Sequence, residues 1–147
     1  MIISTKCQYA LRAVFELARA EPGHVLTING IADSQRVPQR YLETILNQLR
    51  KGGILQAVRG RSGGYKLAMP PGQVTIADIV KAVDGSMRVA PPQEKDSANP
   101  ATDNTVFSET WQRLHIAMDK VLDSVSFAEL IRMEKERKSK ANPNYVI

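Results

Sequence analysis

The chain has 147 residues, one cysteine, 43% hydrophobic and 24% charged residues and a formal net charge of +5. That is the composition of one globular domain, or a small domain with an appendage, able to bury a core. No run of about 18 apolar residues occurs, so no membrane-spanning helix is expected. Met1 to Tyr9 lacks the apolar stretch of a secretion leader, and Cys7 has no partner for an internal disulfide, so a cytoplasmic protein is expected. The charge is uneven: residues 1–70 hold ten Lys/Arg against four acids (+6), and residues 71–147 hold ten against eleven (−1). A basic first half suits a polyanion, with a solvated basic surface as the plain alternative.

Ser4 to Ala20 is predicted as a first helix, because Tyr9, Leu11, Ala13, Val14, Leu17 and Ala18 keep near-helical spacing and Ser4 or Thr5 suits its cap. Glu21-Pro22-Gly23 ends it. Thr27 suits the cap of a short second helix holding Ile28, Ile31 and Ala32, and Ser34–Val37 is the turn that follows. Pro38 suits the first position of a third helix running to Lys51, with Tyr41, Leu42, Ile45, Leu46 and Leu49 as its buried stripe. Gly52-Gly53 stops it. Two β runs, Ile54–Val58 and Gly64–Ala68, flank Arg59-Gly60-Arg61-Ser62-Gly63 and are expected to form a hairpin.

Thr75 with Asp78 resembles a capping box for a helix through Val83, closed by Gly85. Residues 86–104 are polar and contain prolines, which predicts a loop. Val106 to Val125 is expected to be one long amphipathic helix with Val106, Trp111, Leu114, Ala117, Met118, Val121 and Leu122 on its apolar face. Ser126 and Glu129 suit a cap for Phe127–Glu136, and residues 137–147 form a basic, frayed tail.

Helix, short helix, turn, helix, hairpin is the order of a winged helix-turn-helix, whose third helix fits a major groove while the wing reaches the neighbouring minor groove or backbone. Gln39, Arg40 and Glu43 stand at the start of that helix, where amide, guanidinium and carboxylate groups match base edges. Arg59 and Arg61 stand among Gly60, Gly63 and Gly64, which would let backbone approach phosphate while arginine supplies a forked donor. Each piece alone is more often a solvated turn or helix end. Ordered and in the basic half, they point to double-stranded DNA.

Five segments then fall in register with one family. They are Ser4-x-Lys6-x-x-Tyr9-Ala10-Leu11-Arg12-Ala13, Pro38-x-x-Tyr41-Leu42-Glu43-x-Ile45-Leu46 and Leu49-x-Lys51-x-Gly53, followed by Arg59-Gly60-x-x-Gly63-Gly64-Tyr65-x-Leu67-Ala68 and Thr75-x-x-Asp78-Ile79-Val80-x-Ala82-Val83-x-Gly85. On these residues the chain resembles the Rrf2 family of bacterial transcriptional regulators, densely over 1–85 and more weakly to Trp111 and Ser126–Leu130. The resemblance implies a mostly α protein with a small β-hairpin: a winged helix-turn-helix over 1–85, a variable loop over 86–104, a dimerisation helix with a short closing helix over 105–136, and the tail. It implies a homodimer on a palindromic operator; a repressor is expected, with an activator as the alternative. Gln39, Arg40 and Glu43 would read bases, Arg59 and Arg61 would enter the minor groove or grip phosphate, and Ser4, Lys6, Tyr9, Pro38 and Tyr41 would contact the backbone. Core packing explains Tyr9 and Tyr41 equally well.

Many members of that family hold an iron–sulfur cluster on three cysteines between the equivalents of Gly85 and Trp111. This sequence offers Met87, Pro91, Ser97, Thr105 and Ser108 there, and Gln8 where some cluster-binding relatives carry a carboxylate, so no cofactor is expected. Cys7, one residue after Lys6 near a helix start, is either a redox-sensing thiol or a half-buried packing residue. His24 and His115 lack ligand-spaced companions. A small-molecule or protein effector acting at the 86–104 loop or beside Trp111 is the remaining source of a signal. A protein-interaction module and a nonspecific nucleic-acid coater are the other classes. No catalytic set and no phosphate-cradling loop are found, so an enzyme is not expected.

Overall fold

In the computed structural model, described over residues 3–87 and 105–141, the N-terminal elements are α1 (Thr5–Arg19), α2 (Ile28–Gln35), α3 (Gln39–Lys51), β1 (Leu55–Val58), β2 (Gly64–Leu67) and α4 (Ile76–Asp84). They are followed by α5 (Thr105–Ser124) and α6 (Phe127–Ala141). The loop expected over 86–104 lies, from residue 88, outside the described residues, as do residues 142–147 of the tail.

Capping side chains start the helices where the sequence suggests. Ser4 Oγ accepts from the Cys7 amide, Thr27 Oγ1 from Gly30 and Ser126 Oγ from Glu129. Thr75 and Asp78 complete a reciprocal capping box. Each such cap contributes about 1 kcal/mol. The start of α3 differs: Pro38 is its N-cap rather than its first helical residue, and no side chain caps it.

The core joins Ala10, Val14 and Leu17 of α1 to Ile31 of α2, the fully buried Leu42, Ile45, Leu46 and Leu49 of α3, Ile79 of α4 and Phe127 of α6. Burying each large aliphatic side chain contributes about 1.5–3 kcal/mol. Tyr41, expected within the buried stripe of α3, is 47% exposed. The stripe is centred on Leu42, Ile45 and Leu49, which leaves Tyr41 at its edge.

β1 and β2 pair antiparallel, from Leu55 opposite Leu67 to Val58 opposite Gly64. Leu26 adds a third, one-residue strand, exchanging both backbone hydrogen bonds with Tyr65 at 2.8 and 2.9 Å. The chain enters α6 through a similar bridge, Thr75 with Ser126. α6 runs to Ala141, past the Glu136 limit expected from sequence. Side-chain pairs one turn apart, Arg132 with Glu136 and Lys138 with Glu134, support the extension.

α2 closes on Arg36, which takes the left-handed conformation (φ 52°, ψ 44°) and donates its amide to the Ala32 carbonyl. A side chain costs about 1 kcal/mol there. Arg36→Gly is expected to raise the stability of the DNA-free chain by about 1 kcal/mol, a gain of roughly 2–4 °C in Tm by thermal melting. An unchanged or lowered Tm would mean that the arginine side chain makes compensating contacts.

α5 has no buried side chain among its described residues; Val106 is 80% exposed, Phe107 56%, Leu114 44% and Val121 62%. The apolar side of this amphipathic helix is thus left largely uncovered by the rest of the described residues.

Candidate nucleic-acid interface

The third helix and the wing meet in one cleft. Gln39 at the start of α3 lines it with Arg59, Gly60, Gly63 and Gly64 of the wing, and Thr27 and Asn29 at the start of α2 form its other wall. The cleft is shallow and open to solvent, with a volume of about 530 Å³. Because no side chain caps α3, its first amides remain available to an acceptor, and the positive end of the helix dipole favours an anion there. Gln39, Arg40, Glu43, Arg59 and Arg61 are all exposed.

Beside the cleft runs a line of alternating cations and rings. The Arg40 guanidinium lies 4.8 Å from the Tyr41 ring centre and donates to the Tyr41 hydroxyl at 3.0 Å. Tyr41 meets Tyr9 with ring centres 6.4 Å apart. Arg12 lies 5.9 Å from the Tyr9 ring and donates to the Gln35 carbonyl at the end of α2. The rings thereby fix α1 against α3 and hold two guanidinium groups at the surface. Arg12 is not among the contacts that the sequence predicts. Its spacing of three residues after Tyr9 on a helix was the available signal.

Of the remaining predicted site residues, Ser4, Gly63 and Gly64 have internal work. Ser4 donates its amide and its hydroxyl to the Asp84 carboxylate at 3.2 and 2.5 Å, tying the start of α1 to the end of α4. Lys6 is half-buried on the first turn of α1. A Cβ on Gly63 would lie 2.5 Å from the Val58 carbonyl oxygen, and one on Gly64 would fall on the Leu26 carbonyl. These two glycines are therefore required by the wing's own backbone, whatever approaches from outside. Gly60, at φ +112° with open space around it, is the glycine that the turn conformation requires.

Cys7 is wholly buried, and its thiol pKa is pushed up to about 11 by burial, then by the charge of Asp84 and a hydrogen bond with it. That is the reverse of the lowering a redox-sensing thiolate needs. An unfolded thiol ionises above about pH 9 while the folded one stays neutral. Stability from Cys7 is thus complete below pH 9 and lost as pH rises towards about 11. Urea unfolding at pH 8 and pH 10.5 is expected to show a larger alkaline loss for the parent than for Cys7→Ala. Equal losses would mean that Cys7 ionises normally in the fold.

A basic third helix and wing arranged on one cleft define a helix-turn-helix transcriptional regulator. The chain belongs to the Rrf2 family, whose model, described as an iron-dependent transcriptional regulator, matches residues 3–133. The chain is 32% identical over 130 residues to the HTH-type transcriptional regulator CymR of Bacillus subtilis, covering 88% of this chain and 89% of that one. It is 30% identical over 132 residues to the regulator IscR of Aliivibrio salmonicida, covering 89% and 77%. The solved structure of CymR, the global cysteine regulator of B. subtilis, aligns with TM-score 0.71 and 31% identity over 88% of this chain and 95% of that one. IscR of T. potens aligns with TM-score 0.74 and 28% identity over 93% and 90%.

An iron–sulfur cluster does not fit these residues. The only cysteine in the sequence is Cys7, inside the α1 core with a raised pKa. Among the described residues no three of His, Cys, Asp and Glu come together as a metal site, and His115 pairs with Asp119 at 3.4 Å. No helix among them is long and apolar enough to cross a membrane.

Proposed function

We propose that this regulator represses transcription as a homodimer on a palindromic operator, without an iron–sulfur cluster. Residues 1–85 form the DNA-reading unit, 86–104 a variable connection, and 105–136 the dimerising helix with its closing helix, continued to Ala141. Gln39, Arg40 and Glu43 read bases in a major groove, Arg59 and Arg61 hold the adjacent minor groove or phosphates, and Lys6, Tyr9, Pro38 and Tyr41 line the backbone. One observation carries the reading: the cleft that Gln39 shares with Arg59, at a helix start left free of a cap. Two such units related by a two-fold axis meet successive major grooves about one helical turn apart. Repression by occupying the operator needs no surface beyond these. A small-molecule or protein effector acts by favouring one dimer geometry.

The test is selection of duplexes from genomic fragments by the purified chain, followed by competition with random DNA. A symmetric preferred site supports the reading, and equal affinity for all duplexes at moderate salt overturns it. Arg59→Ala is expected to weaken the selected site by roughly 1–3 kcal/mol if the side chain reads a base. If Arg59 only touches phosphate, all duplexes weaken alike and the salt slope falls. Unchanged affinity and slope would remove Arg59 from the interface.

A further inference from the structure

Asp84 is the last residue of α4, the end of a helix at which a carboxylate is disfavoured. The unpaired carbonyls there carry partial negative charge, which a cation relieves and an anion worsens. Among the described residues no Lys, Arg or His forms an ion pair with Asp84. Its partners are instead donors from the first turn of α1. The Ser4 amide and hydroxyl reach its two carboxylate oxygens at 3.2 and 2.5 Å, and the Cys7 thiol makes a further hydrogen bond. With its proton turned to Asp84, the Ser4 hydroxyl offers a lone pair to the Cys7 amide at 3.0 Å, which is the cap of α1. The charge therefore serves the positive end of α1 rather than α4.

α1 is held a second time at Tyr9, whose ring meets Tyr41 of α3. Lys6 lies between the two ties, half-buried on the turn that Asp84 closes. The first turn of a helix lacks the backbone bonds of the interior and frays unless side chains supply them. A cation on a frayed turn must be ordered as it binds, which takes affinity from the contact. We propose that Asp84 is a positioning residue for operator binding: without touching DNA, it holds the first turn of α1 through Ser4, so that Lys6 is already ordered when it meets a backbone phosphate. The proposal deepens the regulator reading and rests on it for the place of Lys6 at the DNA backbone. The sign of the effect separates positioning from plain electrostatics. Removing a carboxylate strengthens attraction to a polyanion, whereas losing the tie weakens binding.

The test is titration of the selected operator duplex with the full chain, Asp84→Ala, Asp84→Asn, Ser4→Ala, Lys6→Ala and the Asp84→Ala/Lys6→Ala pair, beside amide exchange of the DNA-free proteins read by NMR. Lys6→Ala is expected to weaken all duplexes alike and to lower the salt slope. Asp84→Ala is expected to weaken operator binding about tenfold. Asp84→Asn should cost less, because its amide oxygen still accepts from Ser4. In the Lys6→Ala background, Asp84→Ala is expected to cost less than about twofold, since the group being positioned is gone. Ser4→Ala should reproduce the loss and Ser4→Thr restore binding, which keeps the test decisive if Asp84→Ala folds poorly. Affinity unchanged or raised in Asp84→Ala overturns the proposal. So does an equal loss with and without Lys6, which would make Asp84 a support of the fold at large. A chain that prefers no duplex would sink the regulator reading, and exchange would still decide the tie. The Cys7 and Gln8 amides, bonded to the Ser4 hydroxyl and carbonyl, are expected to lose protection in Asp84→Ala; unchanged protection would show that Asp84 does not hold this turn.

Discussion

Gly64→Ala is expected to destabilise the chain by about 3 kcal/mol, a fall of roughly 6–12 °C in Tm, and to abolish operator preference. The reason is backbone against backbone. Leu26 and Tyr65 exchange hydrogen bonds at 2.8 and 2.9 Å, which brings the Leu26 carbonyl to where a side chain on Gly64 would begin. No rotamer relieves such a contact; either the Leu26 bridge opens or the β1–β2 register shifts. Either change displaces the turn carrying Arg59 and Arg61 from the cleft it shares with Gln39. Gly72→Ala is the matched comparison, because its Cβ would sit 3.9 Å from the Ala128 Cβ in ordinary contact. It should change stability by less than about 0.5 kcal/mol. Equal melting temperatures for the two variants, with operator binding retained by Gly64→Ala, would show that the wing does not need the Leu26 bridge.

That bridge marks where sequence reading stops being sufficient. The caps were legible because Ser4, Thr27, Thr75 and Ser126 each stand directly before an apolar helical pattern, a signal contained within a few residues. The buried stripe of α3 and the paired strands were legible from period alone. Leu26 was not, because a one-residue strand has no period and its partner Tyr65 is 39 residues away. For the same reason Gly63 and Gly64 read from sequence as openings towards phosphate, while the structure gives them an internal cause. Tyr41 misled because period assigns a stripe edge to the core as readily as to the surface; its exposure follows from Tyr9 and Arg40, which only the packing of α1 on α3 brings beside it. At Cys7 the sequence offers both a sensing thiol and a packing residue; burial fits the packing residue, and the charge that acts on the thiol is Asp84, 77 positions later, rather than the adjacent Lys6.

Leu114→Asp is expected to leave the fold intact, convert a dimer to a monomer and weaken operator binding by roughly 10²–10⁴-fold. Phe107, Trp111, Leu114, Met118 and Val121 follow one another at alternating intervals of four and three residues along the 20 residues of α5. That is the spacing of a seam that packs against another helix. Phe107, Trp111, Leu114 and Val121 are 40–62% exposed in the single chain. A carboxylate at Leu114 therefore costs little in the monomer, whose core lies among α1–α4 and Phe127. Across a two-fold seam it would be desolvated beside its own copy and unpaired. The loss at the operator is large because one half-site then binds without the local concentration supplied by the other. Glu109→Lys, on the far side of the helix from Trp111 and Leu114, should leave both assembly and affinity unchanged. Sedimentation velocity and operator titration on the same samples decide the matter. A Leu114→Asp variant that remains dimeric would exclude this face as the seam, and a monomeric one with full operator affinity would exclude the two-half-site arrangement.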